Sequence, residues 1–426
     1  MNILNILVIV VFIVTYLQIY RKSPSFFGLL LLPYIFWIQL LISSAYIETG
    51  IYLIDFETVS YTTGATIRLF LLLEIQLVVC YLMGIKYENK IKKMTENVFS
   101  EKSATRWCII ALGMILYLLV DVVVFGSANR FDYYTRTSTL PLVNVVSYFS
   151  YPLSFLMGYF LVNCKKKKNI MFIMLYLIMT FIWMYLRGVQ FGGFLITGII
   201  FISSFVIKLA KQHKLIRIRY IVFASVALLI LLIPKYNYYK YTTMYDNIGV
   251  FSAYEKLFYR AFGQGADLTW AIDRQIMEED YIDPGQFKNE ISSLFTGNTE
   301  GVGVYYLMDR SCPPKVLDRY YMGTAVITGG YPIIWASIFG YLGGIIPTII
   351  DAILFAFLMY RIMCSLIDKS YIKTIMLIFI YTQCYSIVMS SGIYYLGNLI
   401  PKIFLFILFF IDILYKRVKI GEKTII

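Results

Sequence analysis

The chain has 426 residues, 59% of them hydrophobic and 15% charged, with a mean hydropathy of +0.72. That balance lies far outside the range of a water-soluble globular domain and describes an integral membrane protein. The net charge of +13 gives no reason to invoke nucleic acid, because the basic residues cluster in short loops between apolar runs, where they report topology.

The first apolar run, from Asn2 to Tyr20, has no basic residue before it and no small-residue cleavage site after it. It reads as a retained helix, not a removed signal peptide. Further apolar runs follow at 27–47, 65–85, 107–126, 141–163, 169–186, 191–209, 220–234, 340–360, 375–394 and 398–415. Most reach the roughly 20 residues that a helix needs to cross a hydrocarbon layer of about 30 Å. The expectation is an all-α polytopic membrane protein of about 11 transmembrane helices, with one large extracytoplasmic loop containing amphipathic helices. Its three parts are an N-terminal membrane bundle (1–234), the large loop (235–330) and a C-terminal membrane bundle (331–426).

With eleven spans, 24 of the 38 Lys and Arg fall on one side, among them Arg21, Lys22, Lys92, Lys165 to Lys168, Lys211 and Lys369. The positive-inside rule makes that side cytoplasmic. The N-terminus is then outside, the C-terminus inside, and residues 235–330 face the extracytoplasmic space. Between Tyr320 and Ile350 the chain carries no charge but is punctuated by Gly323, Gly329, Gly330, Pro332, Gly340, Gly343, Gly344 and Pro347. About thirty uncharged residues exceed one straight span, so a re-entrant or interfacial segment is expected around Ala325 to Phe339, leading into the ninth helix.

Charges inside the apolar runs are costly, about 2.5–3.5 kcal/mol each at the bilayer centre on insertion scales. Asp121, Glu74 and Asp351 are the acidic candidates, with a functional role and simple interhelical hydrogen bonding as the two readings. Arg68 and Lys402 sit near the outer ends of their runs, where snorkelling accounts for them. The single histidine, His213, lies in a basic loop, and the six cysteines form no CxxC pair. This inventory argues against a His base, a metal site and a disulfide framework, and no cofactor is expected.

The remaining candidates are extracytoplasmic arginines and carboxylates. Arg130 and Arg136 bracket an aromatic cluster in NRFDYYTR, Arg187 opens RGVQFGG in a very short loop, and Arg260, Arg274, Arg310 and Arg319 lie in the large loop. A guanidinium presents a planar fork that binds phosphate oxygens bidentately and stays charged, so several converging on one pocket would suit a pyrophosphate. Anionic lipid headgroups and aromatic stacking use the same group. Tyrosines between Tyr236 and Tyr245 offer rings for stacking on sugar faces, and the acidic run from Glu278 to Asp283 reads as a solvated turn. If RAFGQGADLTWAIDR is one helix, Arg260, Gln264, Asp267, Arg274 and Glu278 fall on one stripe. That stripe would face an aqueous cavity, or only bulk water.

The order of parts resembles the Wzy-type O-antigen, or repeat-unit, polymerases. RAFGQGADLTWAID looks like the Arg, Gln, Trp and Asp segment of that family's large external loop. NRFDYYTR is similar to its first-loop motif, and RGVQFGG to the loop ahead of the middle helix. The resemblance spans nearly the whole chain through short motifs. It implies metal-independent glycosyl transfer between undecaprenyl-pyrophosphate-linked oligosaccharides at the outer face of a bacterial cytoplasmic (inner) membrane. The product is an O-antigen or capsule polymer, and a flippase and a chain-length regulator are implied partners beside the lipid bilayer. In the implied site Arg187 and Arg260 hold the pyrophosphate. Asp267 or Asp273 positions or deprotonates the acceptor hydroxyl, and Arg130 and Trp270 shape the sugar site; Arg136, Gln264, Arg274 and Arg310 join the binding set. The competing readings are a polysaccharide flippase or transporter and an O-antigen ligase. The ligases often employ an external His that this chain lacks.

Overall fold

The structure, a computed structural model, describes residues 2–126, 139–187, 191–211, 259, 262–263, 265–321, 329–390 and 392–423. Helices dominate it. The first is α1 (Ile3–Lys22), whose first turn is capped by the Asn2 side chain accepting from Leu4 N–H and whose last turn carries Arg21 and Lys22. It is followed by α2 (Pro24–Ile47), a two-residue antiparallel ribbon of β1 (Tyr52–Leu53) and β2 (Thr58–Val59), then α3 (Ala65–Ile91) and α4 (Glu101–Phe125). Next come α5 (Val143–Tyr148), α6 (Ser150–Asn163), α7 (Lys167–Leu186) and α8 (Phe191–Lys211). The segment between α8 and the last helices contributes α9 (Asp267–Glu278), α10 (Gln286–Thr296), α11 (Val304–Ser311) and α12 (Pro314–Tyr321). The chain closes with α13 (Ile333–Ile367), α14 (Tyr371–Ser390), α15 (Tyr394–Gly397) and α16 (Leu399–Lys423).

Among the described residues seven helices are long and apolar enough to cross a membrane: α1, α2, α3, α4, α7, α8 and α13. Helices occupy ten of the eleven positions expected from the sequence; the eighth, 220–234, lies outside the described residues. The fifth is divided into α5 and α6 at Phe149.

Two buried cores organise the bundle. The larger joins α1, α2, α3, α9, α11 and α13, and the smaller joins α4 and α7, with α6, α8 and α14 contributing to both. Helices α13 and α14 pack on α3 and α6 respectively, so the segments expected as separate N- and C-terminal bundles share one interior. Glycines set the tightest crossings. A methyl on Gly28 of α2 would lie 2.8 Å from the Ile207 nitrogen and 2.9 Å from the Ser203 oxygen of α8, and one on Gly158 of α6 would overlap the Phe201 carbonyl of α8. Small residues at such points let backbones approach where lipid offers no hydrophobic drive for association.

The expected break before the ninth span is a fold-back. Gly340 adopts φ 71°, ψ 169°, outside the helical region, and splits α13 into a short arm, Ile333 to Phe339, and a long one from Tyr341. Trp335 Nε1 donates to Asp351 Oδ2 at 2.8 Å and Tyr331 OH donates to the same oxygen at 3.3 Å. Sixteen residues of straight helix would put Trp335 and Asp351 about 24 Å apart, so the short arm lies back against the long one. Gly344 permits this: a methyl there would stand 3.0 Å from the Trp335 backbone.

Candidate functional site

Helix α9 carries the DLTWAIDR half of the motif and docks on α2, α3, α11 and α13. It starts at Asp267, not Arg260. Ala266, in the N-cap position, has φ −123°, ψ 5°, and Gly263 and Gly265 precede it in turn conformations. The single stripe from Arg260 to Glu278 is therefore not one helical face; Arg260 and Gln264 lie outside the described residues. The first two turns are also not a polar surface over a cavity. Residues Asp267 through Asp273 are all buried, and exposure begins beyond Ile276.

Asp273 is fully enclosed, and its two oxygens are shared among three side chains. Arg68 of α3 donates from Nε to Oδ1 at 2.8 Å and from Nη2 to Oδ2 at 2.7 Å. Tyr341 OH donates to Oδ1, and Thr63 Oγ1 to Oδ2 at 3.0 Å. Arg68 also donates to the Thr63 carbonyl at 2.7 Å and lies 5.6 Å from the Tyr341 ring centre. Arg68 is thus half of a bidentate ion pair, where snorkelling was expected. Its partner is the carboxylate to which the resemblance gives an acceptor role. A two-point guanidinium–carboxylate contact fixes orientation as well as distance, so this pair sets the angle of α9 on α3 and α13.

The network continues through Thr63 to Glu48, a buried carboxylate at the end of α2. Glu48 accepts from Thr63 N–H at 3.0 Å, Ala65 N–H at 2.9 Å and Gly64 N–H, and from Asn5 Nδ2 of α1 at 3.0 Å. It stands where α3 begins, and the free N–H groups and positive dipole end of that helix compensate its charge. Three membrane helices and α9 therefore meet in one hydrogen-bonded cluster.

A second cluster surrounds Trp270 of α9. Trp270 Nε1 donates to the Tyr61 carbonyl at 3.1 Å, and the two rings meet edge to face at 5.5 Å. Arg274 is 5.7 Å from the centre of the Trp270 ring, its Nε buried with no hydrogen-bond acceptor among the described residues. Tyr61 OH donates to the Glu278 carboxylate; that bond, with some burial, raises the phenol above its ordinary pKa of 10. Asp267 accepts from Tyr259 OH, whose pKa is raised by burial and by the adjoining carboxylates Asp267 and Asp55.

Arg310 of α11 lies 3.9 Å over the Tyr281 ring and donates to Tyr306 OH at 3.0 Å and to the Tyr281 carbonyl at 3.1 Å. Tyr306 in turn donates to Asp283 at 3.2 Å, and Asp283 N–H donates to the Ser337 carbonyl of the short arm at 3.0 Å. The acidic run thus ends as a turn tied to the fold-back. Arg187 caps the C-terminus of α7, its guanidinium 5.4 Å from the Trp183 ring. Trp183 belongs to the smaller core and Trp270 to the larger. Arg130 and Arg136 lie outside the described residues.

The three acidic candidates within spans find local partners. Glu74 accepts from Thr15 of α1, Asp121 from Leu140 N–H at 2.8 Å, and Asp351 from the short arm. Lys402 donates to the Phe295 carbonyl at 2.6 Å. Among the described residues no three His, Cys, Asp or Glu side chains gather as metal ligands would.

Sequence reasoning missed Arg68, Tyr341, Thr63 and Glu48 as members of the cluster. The signal present was the charge of Arg68 inside an apolar run, which calls for a partner.

Residues 298–407 match a family of unknown function, DUF6418. The matched stretch runs from the end of α10 through the fold-back and into α16, and leaves out α9. No curated protein matches the chain, and no solved structure does.

Proposed function

We propose that the protein polymerises polyprenyl-pyrophosphate-linked oligosaccharide repeat units by glycosyl transfer at the outer face of a bacterial cytoplasmic membrane. In this reading the chain has eleven spans, the N-terminus and the layer from α9 to α12 outside, and the C-terminus in the cytoplasm. The observation that carries it is the docking of α9. The helix bearing the second half of the motif is locked to α3 and α13 by the Arg68–Asp273 pair and Tyr341. A loop fixed this way to the ends of spans suits a substrate whose lipid tail lies in the bilayer and whose sugars extend beyond it.

The acceptor hydroxyl attacks the anomeric carbon of the lipid-linked chain. The carbon–oxygen bond to the pyrophosphate breaks, and polyprenyl pyrophosphate leaves. Arg187 and Arg260 neutralise the charge developing on it, which lowers the barrier most when the donors are held in place beforehand. In this reading the two aspartates have different roles. Asp273, with all three donors around it, is a positioning residue for α9. Asp267, which accepts from Tyr259 OH, is assigned in this reading to orient the acceptor hydroxyl and take its proton. Arg274 and Arg310, with the Tyr281 ring, form the cationic and aromatic border along which sugars lie, and the buried Trp270 supports Arg274 from beneath.

The test is genetic. Arg187→Ala and Arg260→Ala are expressed in a strain deleted for its own copy, and surface polysaccharide is resolved on a gel. Loss of the ladder to a single-repeat band is the expected outcome. Complete absence of surface repeats would mean translocation, and a full ladder in both variants would refute the site.

A further inference from the structure

At the opposite end of the bundle from α9 lies a cavity of about 320 Å³. Arg68 and Ile91, at the two ends of α3, are separated by about 35 Å at helical rise. The cavity is lined by Arg21 and Lys22 at the end of α1, Lys92 after α3 and Lys211 at the end of α8, together with Glu88 and Glu96. Both carboxylates are engaged. Glu88 accepts from Ser25 N–H at 3.2 Å and Ser25 Oγ at 3.1 Å, and Glu96 pairs with Lys369 at 2.5 Å. Among the described residues none of the four cations has an ion-pair partner.

We propose that this cavity binds a phosphate group, carried on an anionic lipid. Four like charges lining one concavity repel one another, and a bound anion relieves that repulsion while gaining charge-assisted hydrogen bonds. The converging helix C-termini supply partial negative charge, but only about half an elementary charge each and only within the last turn. Together with the Glu88 carboxylate they offset part of the four cations and leave the lining net positive. The wall between the cations is apolar, from Ile91, Met94 and Ile367. Above it, α1 exposes Leu7, Val10, Val14 and Leu17 along its outer face, a surface suited to acyl chains. A headgroup in the cavity would leave its tails on that face, the arrangement by which basic pockets between helices hold lipid phosphates. This inference does not depend on the polymerase chemistry.

The experiment measures binding to the purified full chain by native mass spectrometry. The probes are phosphatidylglycerol, phosphatidylcholine as the zwitterionic comparison, and inorganic pyrophosphate. The pocket variant is Lys92→Gln/Lys211→Gln. The control, Lys166→Gln/Lys167→Gln, removes the same charge from exposed lysines outside the cavity. Gel filtration confirms that both variants fold. The pocket variant is expected to weaken phosphatidylglycerol binding about tenfold or more, with the control within about twofold of the parent. Pyrophosphate competition would show that the phosphate moiety alone suffices; lipid binding without such competition would assign the site to headgroups. Equal loss in both variants, or no binding of either anionic probe by the parent chain, would overturn the proposal.

Discussion

Replacing Asp273 by alanine separates an anchor from a catalyst. The substitution removes both contacts to Arg68, at 2.8 and 2.7 Å, and the acceptor for Tyr341 and Thr63. It leaves a guanidinium that is only 21% exposed facing a cavity. Breaking a buried pair on one side costs about 3–5 kcal/mol, because the remaining charge stays desolvated. Arg68 retains some water, so the expected cost is at the lower end, about 3 kcal/mol. At roughly 2 °C per kcal/mol for large domains, the thermal midpoint in detergent falls by about 6 °C.

The double variant Arg68→Met/Asp273→Leu removes both charges and leaves neither stranded, so it should recover most of the loss. That gives a coupling of about 2 kcal/mol in the double-mutant cycle. Activity is read in parallel from the polysaccharide ladder. If Asp273 is an anchor, the double variant restores stability and at least part of the ladder. An unchanged midpoint in Asp273→Ala with the ladder abolished would refute the anchoring argument and return Asp273 to the reacting groups.

Two further outcomes follow from α10 and the bundle. Glu290 of α10 is buried, and its carboxyl, despite donations from Gly303 N–H and Gln286, is pushed from its ordinary 4.5 up to about 7, chiefly by desolvation. The folded state thus favours the proton: its stability is greatest below about pH 4.5, falls as pH rises to about 7, and levels off above, a loss of at most about 3 kcal/mol. Glu290→Gln should flatten that part of the curve in thermal melts between pH 4.5 and 8, and parallel curves for the two proteins would contradict it. Gly158→Ala, whose methyl would overlap the Phe201 carbonyl, should cost about 2–3 kcal/mol by forcing α6 from α8, seen as a midpoint lowered by about 5 °C; an unchanged midpoint would mean that the crossing yields freely.

What was legible in the sequence was whatever repeats along the chain. Apolar runs of about twenty residues separated by basic loops located ten helices, because span length and loop charge are local properties. The break before the ninth span was legible too, through the glycines and prolines between Gly323 and Pro347. The start of α9 was readable but outweighed by the stripe. Gly263 and Gly265 each cost a helix interior about 1 kcal/mol relative to alanine, which favours a helix beginning after them. The partners were not legible. Arg68 and Asp273 are 205 positions apart, and Glu48 reaches Asn5 and Ala65 only because α1, α2 and α3 pack together. No periodicity encodes such pairings; only the cost of an unpaired charge says that one must exist.

The pairing changes what the motif can be asked to do. Tyr341, which donates to Asp273, is the first residue after the Gly340 break. Gly329, just before the short arm, lies so close to the turn preceding α9 that a methyl would stand 2.9 Å from the Gly265 carbonyl. The fold-back, α9 and α3 are therefore joined at two points, and lifting α9 would require breaking a charged pair as well as this backbone contact. A helix held in this manner is a platform, not a lid. Asp273 is then an anchor, while Arg274 beside Trp270 and Glu278 bonded to Tyr61 stand toward the free end of the helix.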